Sequence, residues 1–205
     1  MENILKKNRQ LILALLLVLY FFFGYMPIAA FNSHRASFHT LGFPFEARIP
    51  FLVPFIFGYS LVYGSAILIY WVTPNWEVFK KLAWGYFWVT TVHYIIFVLF
   101  LVKMIWRPAI IQPTNFSEWA AWFIFSLDRP YNCFPSLHVA YPTLATVITW
   151  RWIPKMKFWF LAMAIITAIS VVLVKQHYIL DVVGGASTAI IIGAYTSRLP
   201  VLSKR

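Results

Sequence analysis

The chain has 205 residues, of which 61% are hydrophobic and 11% charged, with a mean hydropathy of +0.74; a soluble domain holds roughly 45–50% apolar residues. This balance excludes a cytosolic globular enzyme and intrinsic disorder, and the 20% of aromatic residues suits a bilayer whose interfaces recruit Trp and Tyr. The net charge of +11 is scattered over short loops, which argues against a nucleic-acid partner, and the single cysteine, Cys133, leaves no intrachain disulfide and no cysteine-based metal cluster.

Six windows nearly free of charge predict six spans, at residues 11–31, 51–73, 82–102, 134–150, 158–174 and 179–197. About 20 apolar residues cross a hydrocarbon core. The first window follows Lys6, Lys7 and Arg9 and has the outline of a secretory signal. Its apolar run is longer than the roughly 7–15 residues of a signal core, so it reads as an uncleaved anchor. The long connections, 32–50 and 103–133, fall on one side, whereas 74–81 and 151–157 only turn the chain around. Within the second long connection, the segment from Ser117 to Phe125 is too apolar for water and too short to span. It predicts an interfacial helix capped by Ser117. With no repeat, low-complexity tract or long linker, residues 1–205 form one domain. The expected fold is an all-α integral membrane protein, a six-transmembrane-helix bundle with an outer interfacial helix.

Charge orients that bundle. With both termini in the cytoplasm, the inner segments hold 11 of the 17 cations and, against Glu2 and Glu77, carry +9. The outer segments set six cations against Glu46, Glu118, Asp128 and Asp181 and carry +2. The positive-inside rule therefore places the termini in the cytoplasm and the long loops on the outer or lumenal side of a plasma or inner membrane.

Ionisable groups near membrane depth are expensive and mark function. Three such segments lie at outer ends of spans: Lys103 to Pro108, Asp128 to His138, and Lys175 to Gly185. In Pro135-Ser136-Leu137-His138, a proline and a capping serine start a helix whose free N–H groups face outward, ready for an anion. In His177-x-x-x-Asp181 the i, i+4 spacing lets the carboxylate accept from one ring nitrogen and leave the other free as a nucleophile. One histidine can attack phosphorus while the other protonates the departing oxygen. Arg107, Arg129 and Lys175 can neutralise the phosphate oxygens.

The order R-P, P-S-x-H, H-x-x-x-D resembles the lipid phosphate phosphatase superfamily, the type 2 phosphatidic acid phosphatases, over residues 103–185. The usual pattern there is K-x6-R-P, P-S-G-H and S-R-x5-H-x3-D. The resemblance implies His177 as nucleophile, Asp181 as its orienting carboxylate, His138 as general acid, and Arg107 and Ser136 as phosphate ligands. It also implies a lipid phosphate substrate drawn from the membrane, a phosphohistidine intermediate, no metal and no other cofactor. Departures from the pattern matter. Lys103 precedes Arg107 by four positions only, Leu137 replaces the glycine, and Val171 stands at the arginine position after Ser170, so Lys175 or Arg129 is expected to supply the missing charge. The forms F-P-S-L-H-V-A and H-Y-x-x-D-x-V-G-G are similar to the branch containing fungal inositol phosphorylceramide synthase, which implies transfer of a phosphorylated head group between lipids.

Other readings compete with these. A lipid or ion carrier also uses intramembrane His and Asp, but it predicts broken spans near the midplane. A bis-histidine haem protein using two of His93, His138 and His177 leaves the basic residues unexplained. His93 reads as a hydrogen-bonded packing residue, His34 and His39 as loop residues near an entrance, and Asp128 as a partner for Arg129 or Arg107. Asn115-Phe116-Ser117 fits a glycosylation sequon.

Overall fold

The computed structural model describes residues 2–109 and 112–199, with side chains from residue 8 onward. Lys204 and Arg205, and the side chains of Lys6 and Lys7, lie outside the described residues. The elements are α1 (Glu2–Ser33), short 3-10 turns at Pro44–Arg48 and Val53–Phe55, α2 (Ile56–Tyr59), α3 (Leu61–Val72) and α4 (Trp76–Leu99). They continue with α5 (Phe116–Leu127), α6 (Leu137–Trp152), a 3-10 turn at Pro154–Met156, α7 (Lys157–Leu173) and α8 (Ile179–Arg198).

Among the described residues, five helical stretches are long and apolar enough to cross a membrane: Asn8–Ser33, Val53–Val72, Trp76–Leu99, Pro154–Leu173 and Ile179–Arg198. The fourth expected span is the exception. Its helix, α6, has 16 residues, about 24 Å against a hydrocarbon core of about 30 Å, so length alone supports five spans and not six.

Local chemistry moves several boundaries. Helix α4 begins at Trp76, inside an expected turn, because the Asn75 side chain accepts from the Val78 N–H at 3.0 Å. Its first turns carry Glu77 and Lys80, paired at 3.0 Å, so a charge-free window mistakes a polar helix end for a loop. The second span is interrupted at Ser60, whose hydroxyl donates back to the Ile56 carbonyl at 2.8 Å and bends the helix. For α5 the cap is Asn115, accepting from Glu118 N–H at 3.0 Å, and not Ser117, which lies inside the helix.

Helix α6 is the hub. It packs against α8, α7, α4 and α3, and buries Ala140, Leu144, Ala145 and Ile148 completely. Glycine makes the closest of these approaches possible: a Cβ at Gly185 of α8 would strike the backbone carbonyl of Ser136 at the head of α6. Helix α1 lies parallel to α4, joined by Tyr20 to Thr91 (2.9 Å), Tyr94 Oη to the Phe21 carbonyl (2.6 Å) and Asn32 to the Phe97 carbonyl (3.0 Å).

The chain direction sorts polar groups to two ends. Helices α6 and α8 begin at the same end, where the Ser136 N–H donates to the Asp181 carbonyl at 3.0 Å. At the other end cations sit over aromatic rings: Lys80 over Trp76 (5.9 Å), Lys81 over Trp152 (5.3 Å) and Lys157 over Trp150 (4.8 Å). Glu46 secures the loop at the first end. Its carboxylate accepts from Phe43 N–H (2.9 Å) and Ile179 N–H (2.8 Å), while its carbonyl accepts from Lys175 Nζ (2.7 Å).

Candidate active site

His138 occupies the second position of α6, set there by the Ser136 cap, whose Oγ accepts from Val139 N–H at 3.4 Å. His177 precedes α8 in a turn closed by the Val171 carbonyl, which accepts from both Gln176 N–H (2.9 Å) and His177 N–H (3.1 Å). That turn puts Lys175 in the left-handed region, at φ 52, a conformation costing a non-glycine residue roughly 1–2 kcal/mol. The bond from its ammonium to Glu46 holds it there. Burial lowers the Lys175 pKa, with Glu46 opposing.

The two imidazoles face each other, with His138 Nδ1 3.1 Å from His177 Nε2. Each ring's far nitrogen meets a carboxylate. His177 Nδ1 lies 3.4 Å from Asp181 Oδ2, which also accepts from Tyr178 N–H at 2.8 Å. His138 Nε2 lies 2.6 Å from Tyr59 Oη and 3.4 Å from Asp128 Oδ2. Three donors converge on the Asp128 carboxylate: Tyr25 Oη (2.5 Å), Tyr59 Oη (2.8 Å) and Gln176 Nε2 (2.7 Å). Arg107 completes the group by donating to Gln176 Oε1 (2.5 Å) and the Asp128 carbonyl (2.8 Å), with its guanidinium 4.5 Å from the centre of the Phe125 ring. Burial lowers the Arg107 pKa, with Asp128 opposing; from its ordinary value the guanidinium stays charged.

This arrangement brings together His138, His177, Asp181 and Ser136, with Arg107 joined through Gln176 and Asp128. The other three cations have different contacts. Lys175 donates to Glu46, Lys103 lies 4.9 Å and 5.2 Å from the Phe38 and Tyr131 ring centres, and Arg129 is exposed. The arginine position of the sequence pattern, Val171, is fully buried among Ile56, Tyr59 and Val139. His93 is buried, with Nδ1 2.7 Å from the Val89 carbonyl, as a packing residue would be. Arg107 reaches Asp128 at its backbone carbonyl, while the Asp128 carboxylate receives two tyrosines and a glutamine in place of the expected arginine.

Tyr25, Tyr59 and Gln176 escape sequence reasoning. The tyrosines look like belt aromatics, and the one available signal is Gln176, an amide wedged between Lys175 and His177. Cys133, His177 and Asp181 offer ligand atoms within 4.8 Å of one another. A metal there would have to displace the His177–Asp181 contact and ionise a thiol that burial pushes well above its ordinary pKa.

A histidine pair backed by carboxylates and an arginine, at the end of a bundle of membrane-length helices, defines a helical membrane protein of the phosphoryl-transfer class. Residues 43–195 match the family model of the PAP2 superfamily, and the chain belongs to that superfamily, the type 2 phosphatidic acid phosphatases. Membership brings a phosphatase-type function, within the phosphoric ester hydrolases and phosphotransferases. The matched region begins after α1. No curated protein and no solved structure matches the chain.

Proposed function

We propose that the protein is a metal-independent lipid phosphatase that hydrolyses a lipid phosphate through a phosphohistidine at the outer membrane face. One observation carries this reading: the reactive nitrogens of His138 and His177 share one gap, 3.1 Å across, while a carboxylate stands behind each ring. In the first step His177 Nε2 attacks phosphorus, the P–O bond to the lipid breaks, and the departing oxygen takes the proton of His138 Nδ1. Asp181 holds the His177 Nδ1–H and balances the charge on the ring. In the second step water loses a proton to His138 and attacks phosphorus, the P–N bond breaks, and inorganic phosphate leaves with both rings restored. The histidines are hydrogen-bonded to each other, so the phosphate has to enter between them. Arg107 and the first turn of α6 at Ser136 receive its oxygens. Lys103, Arg129 and Lys175 add positive field rather than contact.

Six spans fit this reading if α6 counts despite its length, because a helix enclosed by α3, α4, α7 and α8 does not have to match the lipid thickness. The cation–aromatic end then faces the cytoplasm with both termini, and α5 lies in the outer interface. A second reading, transfer of a phosphorylated head group between lipids, is favoured by the F-P-S-L-H-V-A form around His138.

The test is purified protein incubated with labelled lipid phosphates, with and without alcohol acceptors and chelator. We expect phosphate release unaffected by chelator, an acid-labile label on the protein, and neither in His177→Ala. Full turnover by His177→Ala would remove the nucleophile. Product carrying the alcohol in place of free phosphate would favour transfer.

A further inference from the structure

A cavity of about 470 Å³ reaches His138 and Asp128 at one end and continues between α1, α3 and α4. Its walls are apolar helix faces. On α1 they run from Ala14 to Met26, a rise of about 18 Å along the axis. That is a little more than half of a hydrocarbon core of about 30 Å, slightly beyond the depth of one leaflet. Tyr70 of α3 and Phe79 of α4, whose rings meet edge to face at 5.8 Å, line the end farthest from His138. The volume of about 470 Å³ falls within the roughly 300–1,000 Å³ of ligand pockets, and its elongated apolar course suits a hydrocarbon chain.

We propose that this cavity seats a single hydrocarbon chain of the lipid phosphate, threaded from the phosphate at His138 into the bundle, with Tyr70 and Phe79 as the stop that sets its length. The inference rests on the lipid phosphatase reading and deepens it by naming the substrate class: single-chain lipid phosphates, or two-chain ones whose second chain stays in the bilayer. The wall formed by α1 lies outside residues 43–195, which match the PAP2 superfamily. A tail leaving lipid for this cavity exchanges one apolar surrounding for another and gains little from burial. The cavity therefore acts as a ruler. A chain that fits places its phosphate between the histidines, and one that is too long holds it out of reach.

The experiment compares kcat/KM for a series of n-alkyl monophosphates of increasing length with that for p-nitrophenyl phosphate, which has no chain, using the full-length protein in detergent. Wild type is expected to show an optimum length. Ala83 lines the cavity one turn above Phe79, about 6 Å nearer the site. Ala83→Phe should shorten the optimum by several methylenes and lower the ratio of long-chain to p-nitrophenyl rates by at least about 10-fold. Phe79→Ala should move the optimum the other way, so a folding failure in one variant leaves the other to decide. Hydrolysis of all substrates with no length optimum, or an optimum unmoved by both substitutions, overturns the tail seat while leaving the phosphatase reading intact. A wild-type protein that hydrolyses none of these phosphates, p-nitrophenyl phosphate included, overturns both.

Discussion

Replacing Asp128 by Asn tests whether the second carboxylate serves the general acid. The side chain keeps its shape but loses its charge, and an amide that donates replaces an oxygen receiving Tyr59 and Gln176. At the 3.4 Å that separates Asp128 Oδ2 from His138 Nε2, and at an effective dielectric of about 20, a carboxylate and an imidazolium attract by roughly 5 kcal/mol. If half of that persists in the transition state, its loss is about 2.5 kcal/mol, or about 70-fold in rate. The assay is leaving-group dependence. An alkyl alcohol needs a proton to depart, whereas p-nitrophenolate leaves without one. Asp128→Asn should therefore lose roughly 10²-fold in kcat on an alkyl phosphate and less than about 10-fold on p-nitrophenyl phosphate. Tyr59→Phe should show the same contrast, reduced in size. Equal losses on both substrates would refute the reasoning and make Asp128 a purely structural acceptor.

Three further outcomes are expected. Cys133 is buried and its thiol is held protonated, so it should resist maleimide until the protein unfolds. Because its folded pKa lies above the unfolded value, the stability it contributes is present below about pH 8.5 and lost as pH rises beyond; Cys133→Ala should flatten the fall of Tm above that pH. Gly185→Ala would push a methyl group into the Ser136 carbonyl and part the heads of α6 and α8. It should cost about 1–3 kcal/mol in thermal unfolding and most of the activity. In intact cells a Ser117→Cys variant should react with an impermeant reagent and tags on either terminus should not; labelled termini would reverse the orientation.

The histidine–carboxylate core of the candidate site was legible because motif spacing together with the family resemblance constrains it. A histidine one turn before an aspartate at a helix start, and a capping serine two residues before another histidine, leave few other geometries. What supports that core was not. Tyr25 and Tyr59 lie 103 and 69 residues from Asp128 in sequence, and nothing in an apolar span distinguishes a hydroxyl aimed inward from one at the interface. Glu46 is in a similar position. In a loop it reads as a solvated acid, yet it is 2% exposed because the first turn of α8 needs an acceptor for the Ile179 N–H. Lys175 was legible as a charge near His177, but its positive φ sends the ammonium to Glu46, and only the backbone path reveals that. Helix lengths failed where caps decide. Asn75 and Asn115 start helices at points that charge and hydropathy do not mark.

Helix α1 has just 6% of its apolar window buried within the protein. Lipid competes on equal terms for such a surface, so the polar ties that keep α1 in place are its seam with α4, including Arg35 to the Val98 carbonyl, and the bonds from Asn32 to Asn132 and from Tyr25 to Asp128. At about 0.6 kcal/mol for each interhelical hydrogen bond in a bilayer, these six sum to roughly 3–4 kcal/mol. The chain is therefore divisible. Severed in the exposed loop between Ala36 and Ser37, α1 would be a separable piece, inserting on its own and docking reversibly onto the remainder. Its departure would take away the front wall of the tail cavity and one of the three donors on Asp128 in a single event. Loss of that one helix would thus alter the apolar seat and the charge behind His138 together.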